Sequence, residues 1–217
     1  PEEYGGIGMG FLELCVIAEE LGRGIAPVPF SSSVYLATTA ILNSSNEEIK
    51  KEFLPKLAAG EIIGTFAHSE KTTFPNESGI NVNFKSGKIS GKKVAVPDGD
   101  IANFALVTAK SDKNQIGLYL VDLSSSGVEI NSLDTFDPSR SHADIVFENV
   151  EARALNNDAW SDIEKLLDQS AVLFAFEQVG GAEAAMNQAK DYAMGRYAFG
   201  RAIASFQAIK HKVADMY

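Results

Sequence analysis

Hydrophobic positions divide the chain into a helical opening, a strand-rich middle and a helical end. Between Phe11 and Leu21 apolar residues recur every three or four positions, which predicts an amphipathic helix. Further helices are predicted over Val34–Leu42 and after Ser45, because Ser45 and Glu48 have the spacing of a capping box. We expect Pro55 to kink or restart that third helix, since proline lacks a backbone donor.

In the middle of the chain, short runs rich in Val, Ile, Phe and Thr alternate with turn residues. The predicted strands are Ile62–Ala67, Asn81–Lys85, Lys88–Val96, Phe104–Ala109, Ile116–Asp122, Val128–Leu133 and Ala143–Val150. Their spacing predicts a small antiparallel barrel or sandwich. The helical period then returns, and Ser161–Met194 predicts two helices, or one helix with a close-packing point at Gly180-Gly181.

This order of elements predicts an α+β fold in three parts. They are an N-terminal helical part (1–60), a middle β-domain (61–155) and the start of a C-terminal helical domain (156–217). The chain opens on Pro1 rather than Met and stops within a helical pattern at Tyr217. We therefore expect both ends to be cut from a longer protein.

Composition narrows the possible partners. The chain has 217 residues and a formal net charge of −10, which argues against nucleic acid, because affinity for nucleic acid comes from Lys and Arg on phosphates. No apolar run is long enough to span a membrane. The single cysteine, Cys15, excludes an internal disulfide and fits a reducing compartment. We expect a cytoplasmic protein, with the mitochondrial matrix as the alternative.

The histidines do not form a metal motif. His68, His142 and His211 lie far apart in sequence, and no pair has the spacing of a zinc protease helix, so we expect no metal. His68 follows a predicted strand in Phe66-Ala67-His68-Ser69-Glu70, and ligands are often met where strands open into loops. By position alone, a structural role for His68 is still favoured.

The closing segment, Arg196 to Gln207, places two arginines, two phenylalanines and an amide around Gly200. One interpretation is an ordinary helix-turn-helix with solvated charges. The other is a site for an anion and an aromatic ring, because the guanidinium of Arg can donate two hydrogen bonds to a phosphate and Phe can stack on adenine. Chemistry alone leaves these two interpretations even.

The run from Arg196 to Met216 resembles the signature of the acyl-CoA dehydrogenase family. The matching positions read Arg-Tyr-Ala-Phe-Gly-Arg-x-Ile-x-x-Phe-Gln-x-x-x-His-x-x-Ala-Asp-Met. Further similar segments are Pro1–Gly8, Glu19–Gly22, Phe53–Glu61, Gly91–Lys93 and Ala182–Ala185. The resemblance extends, in the right order, over essentially the whole chain.

The resemblance implies a helical, β, helical architecture that binds FAD and assembles as a tetramer, either of one chain or of two kinds of chain. It implies α,β-dehydrogenation of an acyl-CoA, with electron-transfer flavoprotein as the electron acceptor. Such chemistry needs a desolvated base, an aligned flavin and donors that polarise the thioester carbonyl.

Carried over position by position, the resemblance also implies site residues. Phe66, His68 and Ser69 match the strand at the flavin edge, and Val96 lies in the Ala95-Val96-Pro97 segment that covers the flavin. The residues that match positions reaching the FAD of a neighbouring subunit are Arg196, Phe199, Phe206 and Gln207. Asp168 matches a position that meets substrate.

Several positions depart from the family pattern. Lys71–Pro75 replaces a Pro-x-x-Gly-Ser run, Ala95 replaces an aromatic residue and Ala171 replaces an arginine. Ser170 stands where some members carry the catalytic glutamate, so no catalytic base is identified within 1–217 and we expect it beyond Tyr217.

Three interpretations follow from these matches and departures. The first is an acyl-CoA dehydrogenase for bulky or ring-bearing acyl groups. The second is a non-catalytic partner subunit that lends FAD-binding residues to another chain. The third is a different flavin reaction, oxygenation or oxidation, on the same fold.

Overall fold

The computed structural model describes residues 1–71 and 76–217, which form two compact units. The first unit contains residues 1–9 and 27–171, and the second contains residues 10–26 and 172–217. Helices, then strands, then helices follow one another along the chain, so the predicted α+β class is confirmed. The division into 1–60, 61–155 and 156–217 stays a prediction.

The α-helices agree with the periodicity of the sequence. They are α1 (Phe11–Arg23), α2 (Thr39–Asn43), α3 (Glu47–Ala58), α4 (Trp160–Gly195) and α5 (Gln207–Met216). A π-helix over Ser31–Thr38 precedes α2 and continues into it, so the predicted helix Val34–Leu42 begins three residues earlier and with a different hydrogen-bond pattern. Short 3₁₀ turns lie at Glu2–Tyr4, Glu77–Gly79 and Ile203–Ser205.

The start of α3 corrects the predicted capping box. Asn46, not Ser45, is the N-cap, and its side-chain oxygen accepts a hydrogen bond from the Ile49 N–H at 3.1 Å. The Asn46 amide also donates to the Ala154 carbonyl at 3.2 Å, a second bond that ties the helix to the sheet. Pro55 lies inside a continuous helix, so the predicted restart is wrong.

The strands of the large sheet are β1 (Gly64–Ala67), β2 (Asn83–Lys85), β3 (Lys88–Pro97), β4 (Phe104–Ser111), β5 (Ile116–Asp122), β6 (Val128–Ser132), β7 (His142–Glu151) and β8 (Arg153–Asn156). All predicted strands are present, with ends that differ by no more than about two residues. The short strand β8 was not predicted.

The sheet is mixed, which corrects the expectation of a purely antiparallel barrel or sandwich. Its strand order is β6-β7-β3-β2-β4-β5-β8, and β1 pairs with β4. The β1–β4 and β2–β4 pairs are parallel, with Gly64 opposite Phe104 and Asn83 opposite Lys110. The intervening strands form the long connection that lets β1 run beside β4 in the same direction.

Strand β4 shows where the core of the first unit lies. Phe104 and Leu106 belong to one buried cluster, and Ala105, Val107 and Ala109 belong to another. Because side chains alternate across a strand, β4 is covered on both faces. The same is true of β1, whose four residues are all buried.

Helix α4 is one uninterrupted helix from Trp160 to Gly195, so the second of the two predicted alternatives is confirmed. A Cβ added at Gly180 would lie 1.9 Å from the Glu19 carbonyl oxygen, which makes Gly180 the close-packing point against α1. After α4 the chain forms a hairpin of β9 (Tyr197–Ala198) and β10 (Arg201–Ala202). A hairpin therefore replaces the turn of the helix-turn-helix interpretation.

Candidate functional site

The end of β1 holds a buried histidine. Phe66 is buried within the strand, and its ring stacks on that of His68, with centroids 5.2 Å apart. His68 is 7% exposed, and its Nδ1 lies 3.2 Å from the Thr108 hydroxyl oxygen. The other ring nitrogen, Nε2, is buried and has no hydrogen-bond partner in the part of the chain that the structure describes.

The histidine is neutral over the physiological range. Burial lowers the pKa of His68 from 6.5 to about 4, and the positive charge of Lys93 acts in the same direction, while Glu70 opposes both. A neutral imidazole keeps one donor nitrogen and one acceptor nitrogen.

Lys93, on β3, contacts this strand end and is completely buried. Its ammonium donates to the His68 carbonyl at 3.0 Å, to Glu70 Oε1 at 2.8 Å and to the Thr108 hydroxyl oxygen at 2.9 Å. Burial lowers the pKa of Lys93 to about 8, although Glu70 acts to raise it. Burial alone would raise the pKa of Glu70, but Lys93, through its charge and its hydrogen bond, and the Val82 and Asn81 N–H groups together lower it.

The role of Lys93 was not predicted from the sequence. The sequence does contain a signal that Lys93 points inward. Ile89, Gly91 and Lys93 occupy alternate positions on β3, so Lys93 lies on the same face of the strand as the apolar Ile89. A lysine directed inward needs a buried acid. Glu70, two residues after His68, is that acid.

Ser69 offers two groups to which no described residue hydrogen-bonds. Its carbonyl accepts a bond from the Val94 N–H at 2.8 Å, which joins the strand end to β3. No hydrogen bond to the Ser69 N–H or hydroxyl is found among residues 1–71 and 76–217, and the side chain is only half-buried. These two groups can bind an external ligand.

The predicted covering segment, Ala95-Val96-Pro97, lies at an irregularity of β3. The register with β7 shifts between Lys93 and Val96, and Ala95 is exposed with φ +48°. Its N–H donates to Asp144 Oδ1 at 3.1 Å, and the Pro97 carbonyl accepts from the Thr65 hydroxyl at 2.5 Å. Strain of this kind persists where surrounding contacts fix it, which is common at functional sites.

The structure thus brings four of the predicted residues together in the first unit. Phe66, His68 and Ser69 form the strand end, and Val96 is buried in the same cluster as Ala67 of β1. Asp168, on the part of α4 in this unit, is exposed, and no described contact links it to the strand end. Ser170 is buried, and its hydroxyl donates to the Leu167 carbonyl at 2.9 Å.

The hairpin in the second unit presents the other predicted residues. Phe199 is 95% exposed at φ +53°, and its ring meets that of Phe206 edge to face at 6.3 Å. Arg196 is exposed and forms no ion pair with the described residues. Gln207 begins α5, where its amide nitrogen lies 3.4 Å from His211 Nε2.

A large aromatic side chain held in solvent at positive φ costs stability and gains no burial within the chain. Arg201 stacks over the Phe206 ring at 4.1 Å, whereas Arg196, just before the hairpin, stacks on no ring among the described residues. The arrangement suits an external anion next to an aromatic ring.

One predicted feature lies outside the described residues. The run Lys71–Pro75, which departs from the family pattern, includes residues 72–75, so its structure is not discussed. Across the rest of the chain no cluster of three His, Cys, Asp or Glu side chains could hold a metal. No helix among the described residues is long and apolar enough to cross a membrane.

Comparison with known families decides the identity of the fold. The model of the acyl-CoA dehydrogenase N-terminal domain matches residues 1–61, and that of the C-terminal domain matches residues 157–217. Together the two matches span more than half of the chain. The chain belongs to the acyl-CoA dehydrogenase family. The fold of this family member is equally clear from solved structures.

An acyl-CoA dehydrogenase of Bacillus subtilis is 29% identical over an alignment of 235 positions, gaps included, which covers all of this chain and 62% of the relative. The Tcur3481-Tcur3483 steroid acyl-CoA dehydrogenase, solved as a G363A variant, is 31% identical with a TM-score of 0.86 and covers 99% of this chain. The ChsE4-ChsE5 complex from Mycobacterium tuberculosis is 26% identical with a TM-score of 0.87 over 99% of this chain. Both structures extend further, since the family member described here covers 58% of each.

Proposed function

We propose that the chain is the FAD-binding part of an acyl-CoA dehydrogenase that converts an acyl-CoA thioester to its α,β-unsaturated form. The observation that carries this proposal is the closing hairpin. Its exposed Arg196 and Phe199 lie in the part of the sequence that most resembles the family, and the chain itself gives neither side chain a buried role.

The residues present fit a flavin. The Ser69 N–H and hydroxyl are donors without partners among residues 1–71 and 76–217, and the polar edge of a flavin ring offers acceptors for both. Phe66 and His68, which precede Ser69 at the end of β1, and Val96 on β3 are all buried. FAD, when bound, would supply the acceptor for the hydride removed from Cβ of the acyl group.

The hairpin fits the other end of the cofactor, in a neighbouring subunit. Arg196 would bind the pyrophosphate with its guanidinium, and Phe199 would stack on the adenine. Phe206 and Gln207 would complete that contact, with Phe206 held by Arg201. The proposal thus includes an assembly in which subunits exchange these residues, most simply a tetramer built from dimers.

The acyl group is proposed to be bulky or ring-bearing. At Ala95 the exposed side chain is a methyl group, whereas the resemblance predicts an aromatic residue that covers the flavin. The smaller side chain leaves more room for the substrate. The steroid acyl-CoA dehydrogenase among the solved structures supports this size class. Asp168 would meet the substrate, and electron-transfer flavoprotein would accept the electrons.

A second candidate function is that of a partner subunit without its own chemistry. Ser170 lacks the carboxylate needed to remove the Cα proton, and Ala171 lacks the charge of arginine. In the ChsE4-ChsE5 complex a similar chain occurs in an assembly of two named components. In this case Arg196, Phe199 and Gln207 would serve the FAD of the other chain.

One preparation tests both candidates. The purified protein is reconstituted with FAD, and bound flavin per chain is measured from the visible spectrum. The dehydrogenase proposal expects close to one FAD per chain and tighter binding of a ring-bearing acyl-CoA than of butyryl-CoA. FAD that binds only after a second subunit is added would support the partner-subunit function instead.

A matched pair of variants tests the hairpin. Arg196→Gln should weaken FAD binding by about tenfold or more, because a charged hydrogen bond to the pyrophosphate is lost. Lys210→Gln, which removes an exposed cation from α5, is the control and should leave FAD binding unchanged. Equal effects of the two variants would contradict a specific role for Arg196.

A further inference from the structure

Lys93 is a wholly buried lysine whose three hydrogen bonds all reach the end of β1 or its neighbour β4. We propose that Lys93 is a positioning residue: it fixes the His68–Ser69 peptide so that the Ser69 N–H and hydroxyl are held ready for the flavin ring. This inference rests on the proposed function, because it concerns the same flavin site.

The backbone geometry carries the first step. The His68 carbonyl accepts from the Lys93 ammonium at 3.0 Å, and the Ser69 carbonyl accepts from the Val94 N–H at 2.8 Å. The two consecutive carbonyls are therefore both fixed by β3. In a trans peptide the N–H points opposite to the carbonyl of the same unit, so the Ser69 N–H is directed away from Lys93.

The charge pair carries the second step. Glu70 accepts from Lys93 at 2.8 Å, and its two oxygens also accept from the Asn81 N–H at 2.8 Å and the Val82 N–H at 3.1 Å. Lys93 and Glu70 thus join β3, the end of β1 and the segment that leads into β2. Ser69 lies between His68 and Glu70, so Lys93 holds the residues on both sides of it.

Thr108 completes the arrangement on β4. Its hydroxyl oxygen accepts from Lys93 at 2.9 Å and lies 3.2 Å from His68 Nδ1. The charged groups that face His68 are Lys93 on β3 and Glu70 on its own segment, and α4 contributes the uncharged ring of Trp160 at 6.2 Å. Lys93 therefore contacts the backbone carbonyl of His68 directly and acts on the His68 side chain through the shared Thr108 hydroxyl and through its charge.

The test uses Lys93→Met, with Lys88→Met, an exposed lysine of the same strand, as control. Lys93→Met leaves the Glu70 carboxylate buried without its cation, which costs stability and can prevent folding. The second variant therefore combines Lys93→Met with Glu70→Gln, which removes the unpaired charge. Each protein is measured for its thermal unfolding temperature without FAD, its FAD dissociation constant and the reduction potential of the bound flavin.

The positioning role predicts that the double variant recovers most of the lost unfolding temperature but still binds FAD about tenfold more weakly than the wild type, with a shifted flavin potential. Lys88→Met should match the wild type in all three measurements. Recovery of FAD affinity and potential together with the unfolding temperature would overturn the inference, because Lys93 would then act on stability alone.

A readout without FAD separates this inference from the proposed function. In NMR titrations of the imidazole nitrogens, assigned with His68→Gln, the pKa of His68 should rise in Lys93→Met, since the ammonium that lowers it is removed. The Ser69 amide signal should move in the same variant. An unchanged pKa and amide signal would overturn the positioning role, whereas a wild-type protein that takes up no FAD would overturn the proposed function.

Discussion

At the scale of single residues, the buried ion pair of Lys93 and Glu70 holds the strand end that contains His68 and Ser69. The motif Phe66-Ala67-His68-Ser69-Glu70 indicates His68 and Ser69 from the sequence alone, and their role at a flavin stays a prediction. The partnership of Lys93 with Glu70 joins residues 23 positions apart, and pairing at that distance depends on strand register. Register is set by tertiary packing, so periodicity along one strand could not reveal the pair.

His68 makes the stability of the protein depend on pH. Its pKa falls from 6.5 when unfolded to about 4 when folded, so between these values the unfolded chain binds a proton that the folded chain excludes. Stability contributed by the neutral imidazole is therefore present above pH 6.5 and is lost as the pH falls toward 4. The loss amounts to about 3 kcal/mol, since one pKa unit corresponds to about 1.4 kcal/mol.

We expect His68→Leu to reduce that loss, measured as the difference between unfolding free energies at pH 7 and pH 4.5 in urea titrations. Because the wild type and the variant contain the same carboxylates, the contribution of these groups to the pH dependence cancels in the comparison. His211→Gln, an exposed histidine on α5, serves as the control and should follow the wild type. A His68→Leu profile parallel to the wild type would contradict a buried neutral imidazole.

The cap of α3 gives a second residue-level prediction. Asn46→Ala removes both the bond from the Ile49 N–H and the bond to the Ala154 carbonyl, so it should destabilise the protein by about 1–2 kcal/mol. Ser45→Ala, at the residue that the sequence pattern favoured, should change the unfolding free energy by less than about 0.5 kcal/mol. Urea unfolding of the two variants compares them directly, and a larger effect at Ser45 would restore the capping-box interpretation.

At the scale of elements, helices and strands were largely predictable because their periodicity is local. The π-helix at Ser31–Thr38 was not, since it shares apolar spacing with an α-helix and differs only in hydrogen-bond partners. The parallel pairing of β1 with β4 was missed for another reason. Neither strand carries a signal for direction, which the long connection between them determines.

The glycine pair of α4 allows a sharp test of packing within the second unit. A Cβ at Gly180 would meet the Glu19 carbonyl oxygen at 1.9 Å, whereas a Cβ at Gly181 would find its nearest contact at 3.4 Å, on the Gly22 carbonyl oxygen. Gly180→Ala should therefore destabilise the protein by about 2–3 kcal/mol, because backbone must move to admit the methyl group.

The neighbouring variant has the opposite expectation. Gly181→Ala places alanine inside a helix without a close clash, so it should be neutral or stabilise the protein by up to about 1 kcal/mol. Thermal unfolding monitored by circular dichroism gives both values. Equal destabilisation by the two variants would show that Gly180 is not the specific contact point between α1 and α4.

At the scale of the whole molecule, the order of elements and the net charge were readable from the sequence, but the mixed sheet and the exposed hairpin were not. A net charge of −10 repels the phosphates of FAD at long range, because there the summed charge of the whole chain acts rather than any single side chain. The proposed contact with Arg196 acts only at short range. The two effects should be separable by ionic strength.

Raising the salt concentration from 10 to 150 mM shortens the screening length from about 30 to about 8 Å. If the overall charge governs the encounter, FAD should associate faster with the flavin-free 217-residue chain at the higher salt, as followed by stopped-flow fluorescence. Arg196→Gln should associate more slowly and show a steeper rise with salt, because the local attraction that offsets the repulsion is gone. Association that slows with added salt in the wild type, and becomes insensitive to salt in Arg196→Gln, would show instead that the hairpin cation dominates the approach of the cofactor.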